Sequence, residues 1–148
     1  MDHLIQFIYG FFASVAFAVI FYTPKRALFY SGVIGGIGWI VYRYLLGTIN
    51  QVLAAALIAA ILIGTLSAVF AIIIKIPTLI LYIPSLIPLV PGGGMYYTMY
   101  YLIQQDMDLF GAKALETSLI AIALATGIFL STSIINMLAQ IFHIKKGR

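Results

Sequence analysis

The sequence predicts an all-α polytopic membrane protein with about five transmembrane segments, the fourth of which is discontinuous. Apolar residues make up 64% of the 148-residue chain and charged residues only 8%, whereas soluble domains carry roughly a quarter charged residues. A chain of this length has space for about four or five spans and none for a separate soluble domain. Residues 1–148 are therefore expected to form a single integral membrane domain.

Five apolar segments, separated by short polar stretches, follow one another along the chain. The second is the least obvious, because it contains four glycines and Arg43. The predicted spans cover about residues 4–22, 27–46, 52–74, 76–103 and 114–141, and the fourth is broken near residues 88–94.

The positions of the basic residues support five spans. Lys and Arg concentrate in cytoplasmic loops, and five spans bring Lys25-Arg26, Lys75 and Lys145-Lys146-Arg148 to one side. We therefore expect a multi-pass protein of the cell (cytoplasmic) membrane, with its N-terminus outside and its C-terminus cytoplasmic. The net charge of +4 lies at span edges, which indicates a lipid bilayer as partner and not nucleic acid.

The fourth segment is as apolar as a membrane helix but cannot be one continuous helix. Its prolines lack the amide hydrogen that a helix needs, and each ring crowds the preceding turn. These residues are Pro77, Pro84, Pro88 and Pro91, followed by Gly92, Gly93 and Gly94. Broken backbone in a membrane survives only inside protein or beside a wet cavity, and such breaks form the substrate sites of many transporters. The segment therefore indicates transport.

A helix that restarts after Pro91 would present unpaired amides and a partial positive charge at its first turn. Such a helix start binds carboxylates, so an amino-acid zwitterion or a small dicarboxylate would suit it. We expect the break around mid-membrane. The candidate substrate-binding residues are Pro88, Pro91, Gly92, Gly93, Gly94, Tyr96, Tyr97 and Arg43. For the two tyrosines an interfacial aromatic belt is the alternative, and Arg43 could instead snorkel to the membrane surface.

Small residues recur at four-residue spacing in three segments, which is typical of closely packed membrane helices. The candidates are Gly32 and Gly36 in the second segment, Ala56, Ala60 and Gly64 in the third, and Ala123 and Gly127 in the fifth. Two interpretations stay open: these stripes pack the chain's own helices together, or at least one of them contacts a second subunit.

The sequence gives no indication of an enzyme. It lacks cysteine and the HExxH, GxSxG and P-loop motifs, and its two histidines, His3 and His143, lie at opposite ends. We therefore predict no catalytic residue, no metal site and no cofactor.

Several of these residues also carry a resemblance to a known family. Ile87-Pro88-Leu89-Val90-Pro91-Gly92, with Tyr96 four positions later, is similar to the signature of the threonine/serine exporter family. Pro24-Lys25-Arg26-Ala27-Leu28 and the glycines before Trp39 fit the same pattern. The similarity runs from about Phe17 to Tyr101 and concerns the C-terminal membrane half, which is the small subunit of the split two-component exporter.

This resemblance implies a subunit of a secondary transporter that exports threonine, serine or a small dicarboxylate, driven by an ion gradient. It also implies a partner, a larger polytopic membrane subunit that carries the other transporter half. Two other functions stay open on the sequence: a homo-oligomeric small channel or pore, and a non-transporting membrane scaffold.

Overall fold

Six α-helices account for most of the part of the chain that the structure describes. The structure is a computed structural model that describes the backbone of residues 3–141 and the side chains of residues 3–137. The helices are α1 (His3–Ile20), α2 (Lys25–Ile49), α3 (Val52–Ile74), α4 (Thr78–Leu86), α5 (Gly92–Ile103) and α6 (Met107–Ile141), with a 3₁₀ turn at Ile87–Leu89. Four helices are long and apolar enough to span a membrane, and the α4–α5 pair, bent by 51°, makes a fifth span if counted together. The predicted all-α polytopic class is confirmed.

Helices α2 and α6 extend beyond the predicted spans because polar residues belong to these helices. Helix α2 begins at Lys25 instead of 27 and continues to Ile49. Helix α6 begins at Met107 instead of 114, since the Asp106 carboxylate accepts a hydrogen bond of 3.1 Å from the Leu109 amide. Such an N-cap replaces a missing backbone acceptor and favours a helix start. The basic residues 145, 146 and 148 lie outside the described part.

The centre of the bundle lies where α2, α3 and α4 meet. Ile34, Ile63 and Leu81, one from each of these helices, are fully buried and belong to one apolar cluster. Helix α1 covers α2 through close backbone approach: a Cβ built on Gly10 would lie 2.7 Å from the Trp39 Cβ and 3.1 Å from the Gly36 Cα. Small residues at helix contacts, rather than large apolar ones, therefore set the helix spacing.

Helices α3 and α6 run in parallel. A Cβ on Gly127 would lie 2.6 Å from the Ala60 Cβ, and one turn further along each helix Gly64 faces Ser131. In both pairs the α6 residue is 67 positions after its α3 partner (127 − 60 and 131 − 64). The same offset places Val52, the first residue of α3, level with about residue 119 of α6. The first turns of α6 therefore extend beyond the start of α3, and α5 packs beside them.

The predicted packing residues lie at contacts between helices of this same chain. Gly32 faces Phe11 and Val15, and Gly36 faces Phe7. The others, on α3 and α6, are Ala56 and Ala60, both fully buried, Gly64 and Gly127, and Ala123, which packs against the core. Contacts within the chain account for the four-residue spacing in all three stripes.

Candidate functional site

The break between α4 and α5 lies at the residues that the sequence indicated. After the 3₁₀ turn, Val90 is extended and Pro91 is the N-cap of α5. Pro77 likewise precedes the first turn of α4. Helix α4 continues through Pro84. The ring removes the donor for the Ile80 carbonyl, but that loss does not interrupt a helix whose neighbouring turns are held by the core.

The restart of the helix at Gly92 is confirmed. The Gly92 amide donates to the Val90 carbonyl at 2.7 Å, and the Met95 amide closes the first helical bond to the Pro91 carbonyl at 3.0 Å. Within the described chain, no acceptor is recorded for the amides of Gly93 and Gly94. These two donors, at the positive end of the α5 dipole, form the electropositive part of the site.

One side of this helix start is open. Nothing lies within 4 Å of a Cβ built on Gly92 or on Gly93, whereas Gly94 lies against Thr117 of α6. The Thr117 side chain is about 9% exposed. Its Oγ1 has no hydrogen-bond partner in the described part of the chain and lies 2.5 Å from the Gly94 Cβ position. A buried hydroxyl without a partner therefore lies beneath the first turn of α5.

Sequence reasoning missed Thr117. Its sequence neighbours are ordinary for the outer part of a membrane helix, and Gly94 is 23 positions away (117 − 94). Only the packing of α5 on α6 brings the hydroxyl to the break. An α5–α6 hairpin could have been expected from the short connection at residues 104–106, but its register could not.

The length of α4 can be compared with that of α3. Helix α4 and the 3₁₀ turn rise about 20 Å from Pro77 to Leu89, whereas α3 is about 34 Å long. The 3₁₀ turn therefore ends slightly beyond half the length of α3, and Gly94 lies further along the chain, beside Thr117 of α6. The mid-membrane position of the break stays a prediction.

The four tyrosines of α5 form an exposed aromatic cluster one turn beyond the glycines. Tyr96 and Tyr97 are 66% and 49% exposed. Tyr96 stacks on Tyr100, and Tyr97 stacks on Tyr101. A cavity of about 310 Å³ lies between α5 and α6; it is lined by Tyr97, Tyr101, Leu109, Ala112, Lys113 and Glu116. Tyr97 therefore faces α6, while Tyr96 faces outward.

Arg43 does not contact the open glycines. It is exposed on α2, and nothing in the chain lies within 4 Å of the Cβ positions of Gly92 and Gly93. Pro88 and Pro91 are half-buried beside the break. Of the predicted substrate-binding residues, the structure thus groups those of the break and separates Arg43 from them.

A second set of buried hydroxyls lies within the helix bundle. The Ser85 hydroxyl lies 2.7 Å from the Leu81 carbonyl and 3.0 Å from the Ser31 carbonyl of α2. It carries one proton and so donates fully to only one of these acceptors at a time. Four further buried hydroxyls have no partner in the described part of the chain: Ser14, Ser31, Ser67 and Tyr82. Ser85 thereby links α4 to α2 within an otherwise apolar contact.

The start of α5 thus combines the positive end of a helix dipole with two amides for which the described chain records no acceptor. A carboxylate is the common anionic group that accepts hydrogen bonds from such a helix start. Within the described part of the chain, Gly92 and Gly93 are uncovered.

A family model described as "Threonine/Serine exporter, ThrE" matches residues 6–134. No curated protein and no solved structure gave a match to the chain. The matched range covers most of the chain and includes the α4–α5 break, and the family's members are amino-acid transporters, not enzymes. This chain, a multi-pass membrane protein, belongs to the threonine/serine exporter family.

Proposed function

We propose that this chain is one subunit of a secondary transporter that exports threonine and serine across the cytoplasmic membrane. Its partner is a larger polytopic membrane subunit that covers the open side of the α4–α5 break. The observation that carries this proposal is the emptiness around Gly92 and Gly93, where a side chain would meet no atom of the chain within 4 Å. None of the α5 residues is buried, so this helix has a large surface for a partner.

Lipid is a poor cover for this surface. Unpaired amides in hydrocarbon each cost several kcal/mol, and irregular backbone at membrane depth is tolerated only where protein or water meets it. The open amides of Gly93 and Gly94 are thus better covered by a protein surface that encloses a wet cavity than by lipid. A second membrane subunit supplies such a surface.

The substrate carboxylate binds at the amides of Gly93 and Gly94, with Gly92 leaving room for it. Pro88 and Pro91 hold the break open, because neither can donate to the helix ladder. Small dicarboxylates present the same group and are the second substrate class. Tyr96 and Tyr97 flank the path, and Arg43 provides a more distant positive charge. The two halves of the complex rock around this site, driven by an ion gradient, with the N-terminus outside and the C-terminus cytoplasmic.

The proposal is tested by isolating the chain from its own membrane under mild detergent and identifying what accompanies it. We expect a larger polytopic protein in fixed ratio, and we expect threonine and serine efflux only when both chains are present. Efflux by this chain alone would favour a homo-oligomeric pore. Unchanged efflux after its deletion would favour a scaffold. Either result would contradict the proposal.

A further inference from the structure

A second recess lies at the opposite end of the bundle from α5. It is an apolar groove of about 420 Å³ between the end of α1 and the outer face of α4. Its lining consists of Phe21, Tyr22, Thr23, Pro24, Leu79, Ile80, Ile83 and Pro84. The volume lies within the roughly 300–1,000 Å³ of ligand pockets, and the groove is half open to its surroundings. We call it the α1–α4 groove.

The end of the bundle around this groove carries positive charge. Lys25 and Arg26 directly follow the groove residue Pro24 and are both exposed. Lys75, at the end of α3, is exposed at the same end of the bundle. No ion pair is recorded for these three residues within the described part of the chain.

The described acidic residues lie at the other end. They are Asp106, Asp108 and Glu116, all at the α5–α6 connection or in the first turns of α6. The α1–α4 groove thus combines an apolar recess with nearby basic residues and no acidic neighbour in the described chain. This combination fits a molecule with a hydrocarbon part and an anionic head.

We propose that the α1–α4 groove binds an anionic phospholipid. One acyl chain lies in the groove against Leu79 and Ile83, and the phosphate lies beside Lys25 and Arg26. The exported amino acid does not fit here, because a zwitterion would lose its hydration against an almost wholly apolar lining. Basic residues at a membrane surface attract anionic lipids in this way, and a groove next to them adds a specific place for the chain.

The test uses the protein purified in a mild non-ionic detergent with any chain that accompanies it. Native mass spectrometry measures binding of phosphatidylglycerol and of phosphatidylcholine with the same acyl chains. We expect the wild type to bind phosphatidylglycerol about tenfold more tightly, since each surface Lys or Arg contributes modestly to anionic lipid binding. The double variant K25Q/R26Q should lose that preference and keep the weaker binding of phosphatidylcholine.

Two further variants locate the site. Ile83→Trp fills the groove from an exposed position on α4 and should reduce binding of both lipids. Lys113→Gln removes a positive charge at the acidic end of the bundle and should leave the preference unchanged. Equal binding of the two lipids by the wild type, a preference that survives in K25Q/R26Q, or full binding in Ile83→Trp would each overturn the proposal. So would displacement of the lipid by millimolar inorganic phosphate, which would mean that the groove contributes nothing.

Discussion

Gly127 of α6 and Ala60 of α3 approach so closely that a Cβ on the glycine would lie 2.6 Å from the Cβ of the alanine. The same position would lie 3.0 Å from the Leu57 carbonyl oxygen and 3.4 Å from the Ile61 amide nitrogen. Two of these three neighbours are backbone atoms, which cannot move aside by a change of rotamer. The contact therefore fixes both the distance and the register of the two helices.

The first prediction concerns this contact. Gly127→Val should lower the free energy of unfolding by about 1–3 kcal/mol, which is the usual cost of adding atoms to a closely packed interior. Thermal unfolding in detergent, followed by near-ultraviolet circular dichroism, measures the effect. Gly111→Val is the matched control, because it changes a glycine of the same helix that has nothing within 4 Å. Equal melting temperatures of the two variants would show that the close approach is not required.

The second prediction concerns the docking of α5 on α6. Gly94→Ala should weaken it, since the new methyl group would meet Thr117 Oγ1 at 2.5 Å and Cγ2 at 3.2 Å. Thr117→Ala removes both of those atoms, so the double variant should recover most of the lost stability. Proteolysis at the 104–106 connection and thermal unfolding report the docking. Gly93→Ala, which meets nothing within 4 Å, is the control.

The double-mutant cycle makes this second prediction specific. Residues in direct contact show coupling of about 0.5–3 kcal/mol, whereas distant residues are additive. Additive effects of Gly94→Ala and Thr117→Ala would mean that the two helices do not meet at this pair.

The third prediction concerns transport and rests on the proposed function. Gly92→Val should abolish threonine and serine efflux while the amount of protein in the membrane stays normal. The side chain meets no atom of the chain within 4 Å, and no glycine here has a positive φ, so the fold tolerates it. Loss of efflux would then mean that the valine side chain blocks either substrate binding or the approach of the partner subunit.

Efflux of radiolabelled threonine from preloaded cells measures the third prediction. Gly47→Val, which is also unobstructed but lies in the last turn of α2 and not in the α4–α5 break, should export normally. Wild-type efflux by Gly92→Val would remove the break from the substrate path.

The fourth prediction concerns the hydrogen bond of 2.8 Å from Trp39 Nε1 to Gln6 Oε1, which joins α2 to α1. Gln6→Leu leaves the indole without this acceptor and should cost about 1 kcal/mol. Because Trp39 is the sole tryptophan of the chain, its fluorescence reports this site alone, and its emission should shift to shorter wavelength. Ile5→Leu, one position away and exposed, is the control. An unchanged emission maximum in Gln6→Leu would contradict the observed bond.

Local chemistry explains what could be predicted. The helix restart at Gly92 follows from Pro91, whose ring acts within one turn of its own position. The number of spans follows from apolar length. Helix α6 begins before the predicted apolar span, since a hydropathy pattern does not detect an N-cap such as Asp106, although an Asp before a helical run is itself a start signal.

Tertiary contacts explain what could not be predicted. Thr117 becomes part of the candidate site only through the register of α5 on α6, which no residue near either position encodes. Pro84 shows the limit of a local rule, because its ring removes a helix donor and α4 nevertheless continues through it.

Helix α6 links the centre of the bundle to the start of α5. It contacts α3 at Gly127 and α5 at Thr117, ten positions earlier (127 − 117), which is about 15 Å of helix. Ile120 and Ala123, between these two positions, also pack against the core. Any shift of α6 along α3 would therefore move the start of α5 by the same amount, without any change within α5 itself.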